Sequence, residues 1–360
     1  MRIAVAAGTR PEFIQVEPVI RELAKRGTDC LFIHSGQHYD YEMDRIFFDE
    51  MHLPDPTHYL GVGSKLPGEQ VGEILIGSER VLSAGRPDVL LVTGDTNTAL
   101  GVSLAATKTR VRIGHLEAGM RSFDRSMPEE INRIVIDHVS DCLFAPTQRG
   151  VENLRASGIV RNVCLSGDVM LDSILHYRDL IEKPPAILET LPPGGGEYLV
   201  LTLHREANTD DPARLRNILS AVSRAPLPVV FPVHPRTRKR MQDFGIALPG
   251  NVHPVPPQGY FEFLRLLHGS RKVLTDSGGV QKQAFFLARP CITLRPNTEW
   301  VETIEAGWNV LVDDDRERIL AAVTGFDPRG SPDLSAFGEG RASARIIDAV
   351  ERVVGQGPRA

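Results

Sequence analysis

At 360 residues, with 42% hydrophobic and 24% charged side chains, the chain is too long for one ordinary core and too apolar for extended disorder. A net charge of −5 disfavours nonspecific binding to nucleic acid or to an anionic membrane surface, and no apolar stretch approaches the ~18 residues of a membrane span. Cys30, Cys142, Cys164 and Cys291 are too widely spaced for a zinc site or a disulfide framework, so they read as buried, reduced thiols of a cytoplasmic protein.

In chain order, the segment 3–7 reads as a short strand rather than the apolar core of a signal peptide. It leads into Thr9-Arg10-Pro11-Glu12, where Thr9 and Glu12 have capping-box spacing and Pro11 suits a first helical turn. Ile14, Val19, Ile20 and Leu23 give the helix that follows an apolar face. A strand at 31–33 ends at Ser35-Gly36-Gln37-His38, and 66–82 reads as a helix with Val71, Ile74, Leu75, Val81 and Leu82 inward. A strand at 89–92, a helix at 97–107, a strand at 111–114, a helix at 129–139 and strands at 142–145 and 163–166 complete a mostly parallel sheet covered by helices on both faces. Lys183-Pro184-Pro185 and Pro192-Pro193-Gly194-Gly195-Gly196 punctuate the middle of the chain. Strands at 198–203, 229–233, 252–255, 273–275 and 291–294 then resume the alternation, and 342–354 forms a last amphipathic helix with Ile346, Ile347, Val350 and Val354 on one side.

The fold class expected is therefore α/β, with two doubly wound domains and a ligand cleft between them. We place the first domain at 1–168, the second at 169–341, and expect the helix in 342–360 to pack back on the first.

Three carboxylates fall just past strand ends or at a helix start: Asp95 in Gly94-Asp95-Thr96, Glu117 in His115-Leu116-Glu117-Ala118-Gly119, and Glu129 in Pro128-Glu129-Glu130-Ile131-Asn132-Arg133. In a parallel α/β sheet that position lines the functional crevice. Converging acids push at least one carboxyl pKa upward, which suits proton abstraction. Each acid taken alone could equally cap or decorate a helix start.

In the second half, Thr275-Asp276-Ser277-Gly278-Gly279-Val280-Gln281 follows a strand and opens a helix, an arrangement that offers backbone N–H groups and a hydroxyl to a phosphate. Its spacing is neither that of a dinucleotide fingerprint nor that of a Walker loop. His204-Arg205 and His234-Pro235-Arg236 each set a histidine and an arginine at a strand end, as a polyanionic substrate would require. No metal-ligating pattern is present, so neither a metal nor another cofactor is expected.

Taken together, Gly8-Thr9-Arg10-Pro11-Glu12, Gly36-Gln37-His38-Tyr39-Asp40, Gly94-Asp95-Thr96, the Glu117 and Glu129 segments, His204-Arg205 and Asp276-Ser277-Gly278-Gly279-Val280-Gln281 resemble the UDP-N-acetylglucosamine 2-epimerase family, in its order and over nearly the whole chain. The resemblance implies two Rossmann-like domains in the glycosyltransferase-B arrangement, UDP held by the second domain and a homodimer in solution. It also implies that Asp95, Glu117, Glu129 and His204 are catalytic, that Arg10 touches substrate, that Gln258 and Phe263 hold uracil, and that Ser277, Gly278 and Gly279 hold the diphosphate. Arg133, Arg205, His234, Arg236 and Glu299 join them as expected substrate-binding residues. Gln15 stands where many members have lysine, Gln283 where many have a ribose-binding glutamate, and Trp300 where many have arginine. Thr298-Glu299-Trp300-Val301-Glu302 is similar to a branch that includes epimerases of diacetamido-glucuronate sugars. The activity implied is interconversion of UDP-N-acetylglucosamine and UDP-N-acetylmannosamine by elimination of UDP to 2-acetamidoglucal and re-addition. The alternatives are the hydrolysing reaction, 2-epimerisation of a modified UDP-sugar such as a diacetamido-glucuronate, a glycosyltransferase or a non-catalytic UDP-sugar sensor.

Overall fold

A computed structural model describes residues 1–37, 41–190 and 196–355, for 41–44 and 190 the backbone alone. His38, Tyr39 and Asp40, and Pro192 to Gly195 at the expected junction, lie outside the described residues. The chain falls into two units, Met1–His176 with Leu334–Ala360, and Tyr177–Asp333.

Among the described residues the first unit contains seven parallel strands: β1 (Arg2–Ala7), β2 (Asp29–His34), β3 (His58–Tyr59), β4 (Val89–Thr93), β5 (Arg112–Leu116), β6 (Cys142–Ala145) and β7 (Val163–Leu165). Their order is β3-β2-β1-β4-β5-β6-β7. The described residues of the second unit contain six, also all parallel: β8 (Leu199–Thr202), β9 (Val229–Pro232), β10 (Val252–Val255), β11 (Lys272–Thr275), β12 (Cys291–Thr293) and β13 (Asn309–Leu311), in the order β10-β9-β8-β11-β12-β13. Counted from its own first strand, each sheet begins with the doubly wound order 3-2-1-4-5-6. The order therefore reverses between β1 and β4 in one unit and between β8 and β11 in the other, and a crevice opens there beyond the carboxyl ends.

Parallel strands covered on both faces need near-continuous apolar runs. Leu90 to Val92 and Leu199 to Leu201 supply them and are all within 1% of fully buried. In the first unit Ala4, Ala6, Ile33, Leu90, Val92 and Ile113 pack against Val102, Ala105, Ala106 and Ile136 of the covering helices. In the second, Leu201, Phe231, Leu274 and Ile292 pack with Leu215, Ile218, Leu219, Val222 and Ile319. Each large side chain so buried is worth roughly 1.5–3 kcal/mol.

The unit boundary differs from the expected one. Val169–His176, which sequence spacing assigned to the second domain, belongs to the first unit with residues 334–341. The reason is a buried carboxylate. Asp172 accepts the Ala342 and Ser343 N–H groups and the Ser343 hydroxyl, capping the C-terminal helix Ala342–Gly355. That helix is tied in turn to the helix Arg10–Lys25, where Arg26 just beyond its end bonds Asp348 at 2.8 Å and the Ala344 carbonyl. Only two of the four thiols are fully buried. Cys30 sits near the exposed start of β2 and Cys164 on the edge strand β7, and both are partly exposed. The very short edge strands β3 and β13 had no sequence signal of their own. No described helix is long and apolar enough to cross a membrane.

Candidate functional site

In the first unit the expected residues gather at the β1–β4 reversal. The helix Arg10–Lys25 starts directly after β1 because Thr9 is extended at the N-cap and Glu12 reaches back to the Thr9 N–H at 2.9 Å. The same carboxylate accepts the Gly8 N–H and the hydroxyls of Thr9 and Thr96, so it links the turn after β1 to the turn after β4. Every donor to Glu12 is neutral, and complete burial pushes its carboxyl up to about 7. Glu12 is thus the carboxyl raised at this crevice, and its bond to Thr96 sets it next to the Asp95 turn. Arg10 holds its guanidinium over the Phe47 ring, 5.5 Å from the centroid. Gln15 is buried and accepts the Thr93 hydroxyl at 2.6 Å.

Asp95 follows the Gly94 turn and pairs with Arg133, while the Asn132 amide donates to the Asp95 carbonyl. Arg133 also lies 3.3 Å from Glu130. Glu130 in turn accepts the Ser122 N–H and hydroxyl and the Phe123 N–H. Glu117 occupies the left-handed region at φ +61°, a conformation that L side chains other than Asn and Asp rarely adopt. Its Oε2 lies 3.7 Å from the point where a Cβ on Gly94 would stand, so the carboxylate leans over the Asp95 turn. Glu129 is half-buried in the first turn of the helix Pro128–Val139.

Sequence reading missed the layer beneath. His115 and Asp137 are fully buried and 2.7 Å apart, Arg121 lies 2.6 Å from Asp137, and His115 Nε2 bonds the Gly94 carbonyl. Burial alone would raise the Asp137 carboxyl, but His115 and Arg121 outweigh it and hold the group below the usual range. Its signal was available: Glu129, Arg133 and Asp137 recur every four residues, which places them on one helix face.

In the second unit, His204 follows β8 and Asp276 follows β11, flanking the other reversal. Asp276 is fully buried and accepts the backbone N–H of His204 and Arg205, the Asn208 amide and His204 Nδ1, the last at 2.9 Å. This fixes the ring with Nε2 as its remaining polar atom. Burial acts to raise the Asp276 carboxyl, yet the His204 ring and the two N–H donors hold it below its ordinary value. The His234 ring lies 5.9 Å from that of His204, so the two strand-end histidines do meet.

Ser277 caps the helix Gly278–Phe286 by accepting the Val280 N–H, and Gly278 and Gly279 open that helix. A Cβ on Gly278 would stand 3.4 Å from Trp300 Nε1 and 3.6 Å from Glu299 Oε2. Glu299 takes a buried two-pronged bond from Arg295 at 2.9 and 3.0 Å. Gln283 is buried on the same short helix, whose Lys282 lies 4.0 Å over the Trp300 ring. Arg205 is anchored through its N–H to Asp276, whereas the Arg236 guanidinium is engaged by Glu206 and Asp210. Gln258 and Phe263 stand beyond β10, Gln258 in the loop and Phe263 half-buried in the helix Tyr260–Gly269. Among the described residues no group of three or more His, Cys, Asp or Glu could hold a metal ion.

Comparison with known proteins bears on this arrangement. The sequence pattern of the family described as UDP-N-acetylglucosamine 2-epimerase matches residues 21–351. A UDP-N-acetylglucosamine 2-epimerase homolog of Methanococcus maripaludis is 44% identical, the match covering 98% of this chain and all of the relative. The UDP-2,3-diacetamido-2,3-dideoxy-D-glucuronate 2-epimerase of Pseudomonas aeruginosa is 41% identical over 97% of this chain and 99% of its own. The crystal structure of the Methanocaldococcus jannaschii UDP-GlcNAc 2-epimerase, in complex with UDP-GlcNAc and UDP, superposes with a TM-score of 0.92 at 41% identity, covering 99% of this chain and 100% of that one.

Proposed function

The chain belongs to the UDP-N-acetylglucosamine 2-epimerase family, and we propose accordingly that it interconverts UDP-N-acetylglucosamine and UDP-N-acetylmannosamine. The observation that carries this reading is the full-length likeness to a 2-epimerase crystallised with UDP-GlcNAc and UDP. The C2 proton of the sugar is not next to a carbonyl, so simple enolisation is unavailable. Its removal is coupled to departure of UDP from C1, which leaves 2-acetamidoglucal. Return of a proton to the opposite face of C2 and re-addition of UDP to C1 complete the inversion.

Two faces require acid–base groups on both sides of the ring, and Asp95, Glu117 and Glu129 are the groups we assign to them. Arg133 pairs with Asp95 and so holds its carboxylate in one orientation. In the second unit Ser277, Gly278 and Gly279 take the diphosphate at the helix start. His204, oriented by Asp276, stabilises the charge that develops as UDP departs. Arg10, Gln15, Arg205, His234 and Glu299 complete the substrate contacts, with Gln258 and Phe263 at uracil and Gln283 at ribose. Four unpaired thiols fit a reducing cytoplasm, and the resemblance supports a homodimer, which light scattering on the purified protein would test.

A modified UDP-sugar is the second reading, favoured by the 41% identity to the diacetamido-glucuronate enzyme. NMR product analysis with both sugars in deuterated water separates the two. One deuterium should enter C2 of each product molecule, and the faster substrate identifies the specificity. Full retention of the original C2 hydrogen over many turnovers would count against elimination, and release of free N-acetylmannosamine with UDP would mark the hydrolysing reaction.

A further inference from the structure

The three acid-bearing segments of the first unit meet on a buried cluster to which no assigned acid belongs. His115, on β5, is fully buried; Nδ1 lies 2.7 Å from Asp137 Oδ1 and Nε2 lies 2.8 Å from the Gly94 carbonyl oxygen. A carbonyl has no hydrogen to give, so Nε2 carries one and donates it. The other carboxylate oxygen of Asp137 forms an ion pair with the Arg121 guanidinium at 2.6 Å and accepts the Gly119 N–H at 3.3 Å.

Each contact lands beside an acid. Gly94 precedes Asp95, while His115 and Gly119 bracket Glu117 at two residues on either side. Asp137 shares the helix Pro128–Val139 with Glu129 and with Arg133, the partner of Asp95. The segments held turn through left-handed backbone, which is strained only at the non-glycine Glu117. Glu117 is at φ +61°, and Gly94 and Gly119 are at +68° and +79°. A Cβ on Gly119 would lie 2.2 Å from the Gly150 carbonyl oxygen, so only glycine fits there and the turn packs directly on that backbone. A non-glycine residue held left-handed costs roughly 1–2 kcal/mol and relaxes unless its surroundings prevent it.

We propose that His115, Asp137 and Arg121 form a positioning cluster that sets Asp95, Glu117 and Glu129 relative to one another. Its role rests on those three being the acids of the reaction, as proposed for the epimerase activity. The cluster acts through the backbone: the imidazole fixes the Gly94 carbonyl and so the aim of Asp95, and the carboxylate fixes the Gly119 N–H and so the Glu117 turn. His115 and Asp137 have no exposed side-chain surface and Arg121 only 4%, so none of the three reaches substrate. Removing one member leaves buried donors or acceptors unsatisfied with no water to replace it.

Asp137→Asn, His115→Leu and His115→Gln, assayed with UDP-N-acetylglucosamine and by UDP calorimetry, test the cluster. A misplacement of about 1 Å costs on the order of 100-fold in rate. Asp137→Asn and His115→Leu should therefore lose about that much kcat while KM and UDP affinity stay within about threefold. His115→Gln, whose amide can still donate to Gly94, should recover roughly tenfold of the loss. Should these variants fail to fold, Arg121→Lys keeps the charge and shortens the fork, with roughly a tenfold loss of kcat expected at unchanged UDP affinity. Folded variants with wild-type kcat, or a glutamine variant no better than leucine while UDP affinity falls in step, would overturn the proposal. Asp95→Asn assayed alongside separates the two ideas. Full activity there defeats the assignment of the acids, whereas an inactive Asp95→Asn next to a fully active Asp137→Asn defeats the cluster alone.

Discussion

Glu12 and Asp276 are both fully buried carboxylates at the point where a parallel sheet reverses its order, one in each unit, and their neighbours drive them to opposite ends of the scale. Glu12 accepts from two backbone N–H groups and two hydroxyls, all neutral, and its carboxyl is pushed up to about 7. Asp276 also accepts two backbone N–H groups, but adds the His204 ring, and is held below its ordinary value despite the same burial. Depth is alike in both, so the neighbouring imidazole makes the difference. At Glu12 the neutral donors do not offset the cost of burial, whereas at Asp276 the attraction of the His204 ring, added to the N–H donors, does. The first site thus stores a protonatable strut linking two turns. The second stores a fixed anion that aims a histidine.

The comparison breaks most visibly at the acids of the unit that holds Glu12. Asp95→Asn, Glu117→Gln and Glu129→Gln keep size and remove the base, so turnover should fall ~10²–10⁴-fold with modest loss of UDP affinity. Near-wild-type turnover in all three would mean that the chemistry lies elsewhere. In the second unit, Ser277→Asp sets a negative charge at the start of the helix Gly278–Phe286. A charge-assisted contact is worth ~1.5–3 kcal/mol, so UDP affinity should drop by roughly 100-fold in a folded protein, as read by calorimetry.

Asp276→Asn sharpens the contrast directly. Without its anion the His204 ring loses its orientation, and kcat should fall by roughly tenfold or more with UDP affinity little changed. Because the folded Asp276 pKa lies below its unfolded 3.8, the stability it contributes is present above that pH and lost as acid reaches the folded value. The asparagine variant should therefore lack part of the wild type's loss of stability in strong acid. An acid-unfolding profile identical to the wild type's would contradict the pairing.

Glu12→Gln is expected to have the smallest effect on activity, and it acts with the opposite sign on stability. The folded protein keeps a proton between pH 4.5 and about 7 that the unfolded chain releases. Glu12's contribution is therefore complete below pH 4.5 and fades as pH rises through about 7. At roughly 1.4 kcal/mol per pKa unit, the glutamine variant should gain on the wild type by at most ~3 kcal/mol between pH 5 and 8. Denaturant titrations at the two pH values check this, and a gap that does not widen with pH would refute it.

Local chemistry made much of this protein readable from its sequence. The apolar runs at 89–92 and 198–203 match β4 and β8 to within a residue or two, because parallel strands buried on both faces need such runs. The capping spacing of Thr9 and Glu12, and the glycines around Asp95 and Ser277, marked the turns for the same reason: backbone geometry restricts which residues can stand there. The acids and histidines at strand ends were visible too, since a strand's end is a property of the sequence around it.

What one sequence could not supply was partnership across distance. That Arg133 faces Asp95, that Asp137 underlies His115, that Glu12 meets Thr96 and that Asp172 caps a helix 170 residues away depend on the order in which strands are laid side by side. The same ordering moved Val169–His176 into the first unit, although its sequence is as helical as any other. Propensity and periodicity act over one element at a time, whereas pKa shifts and hydrogen-bonded clusters are set by groups far apart in sequence. Residue order alone was enough to set the elements and the chemistry available at their ends. Which of those groups are neutral, which are charged and which hold the others in place was settled by the folded sheets, because electrostatics inside a fold depends on distances that close only when the strands come together.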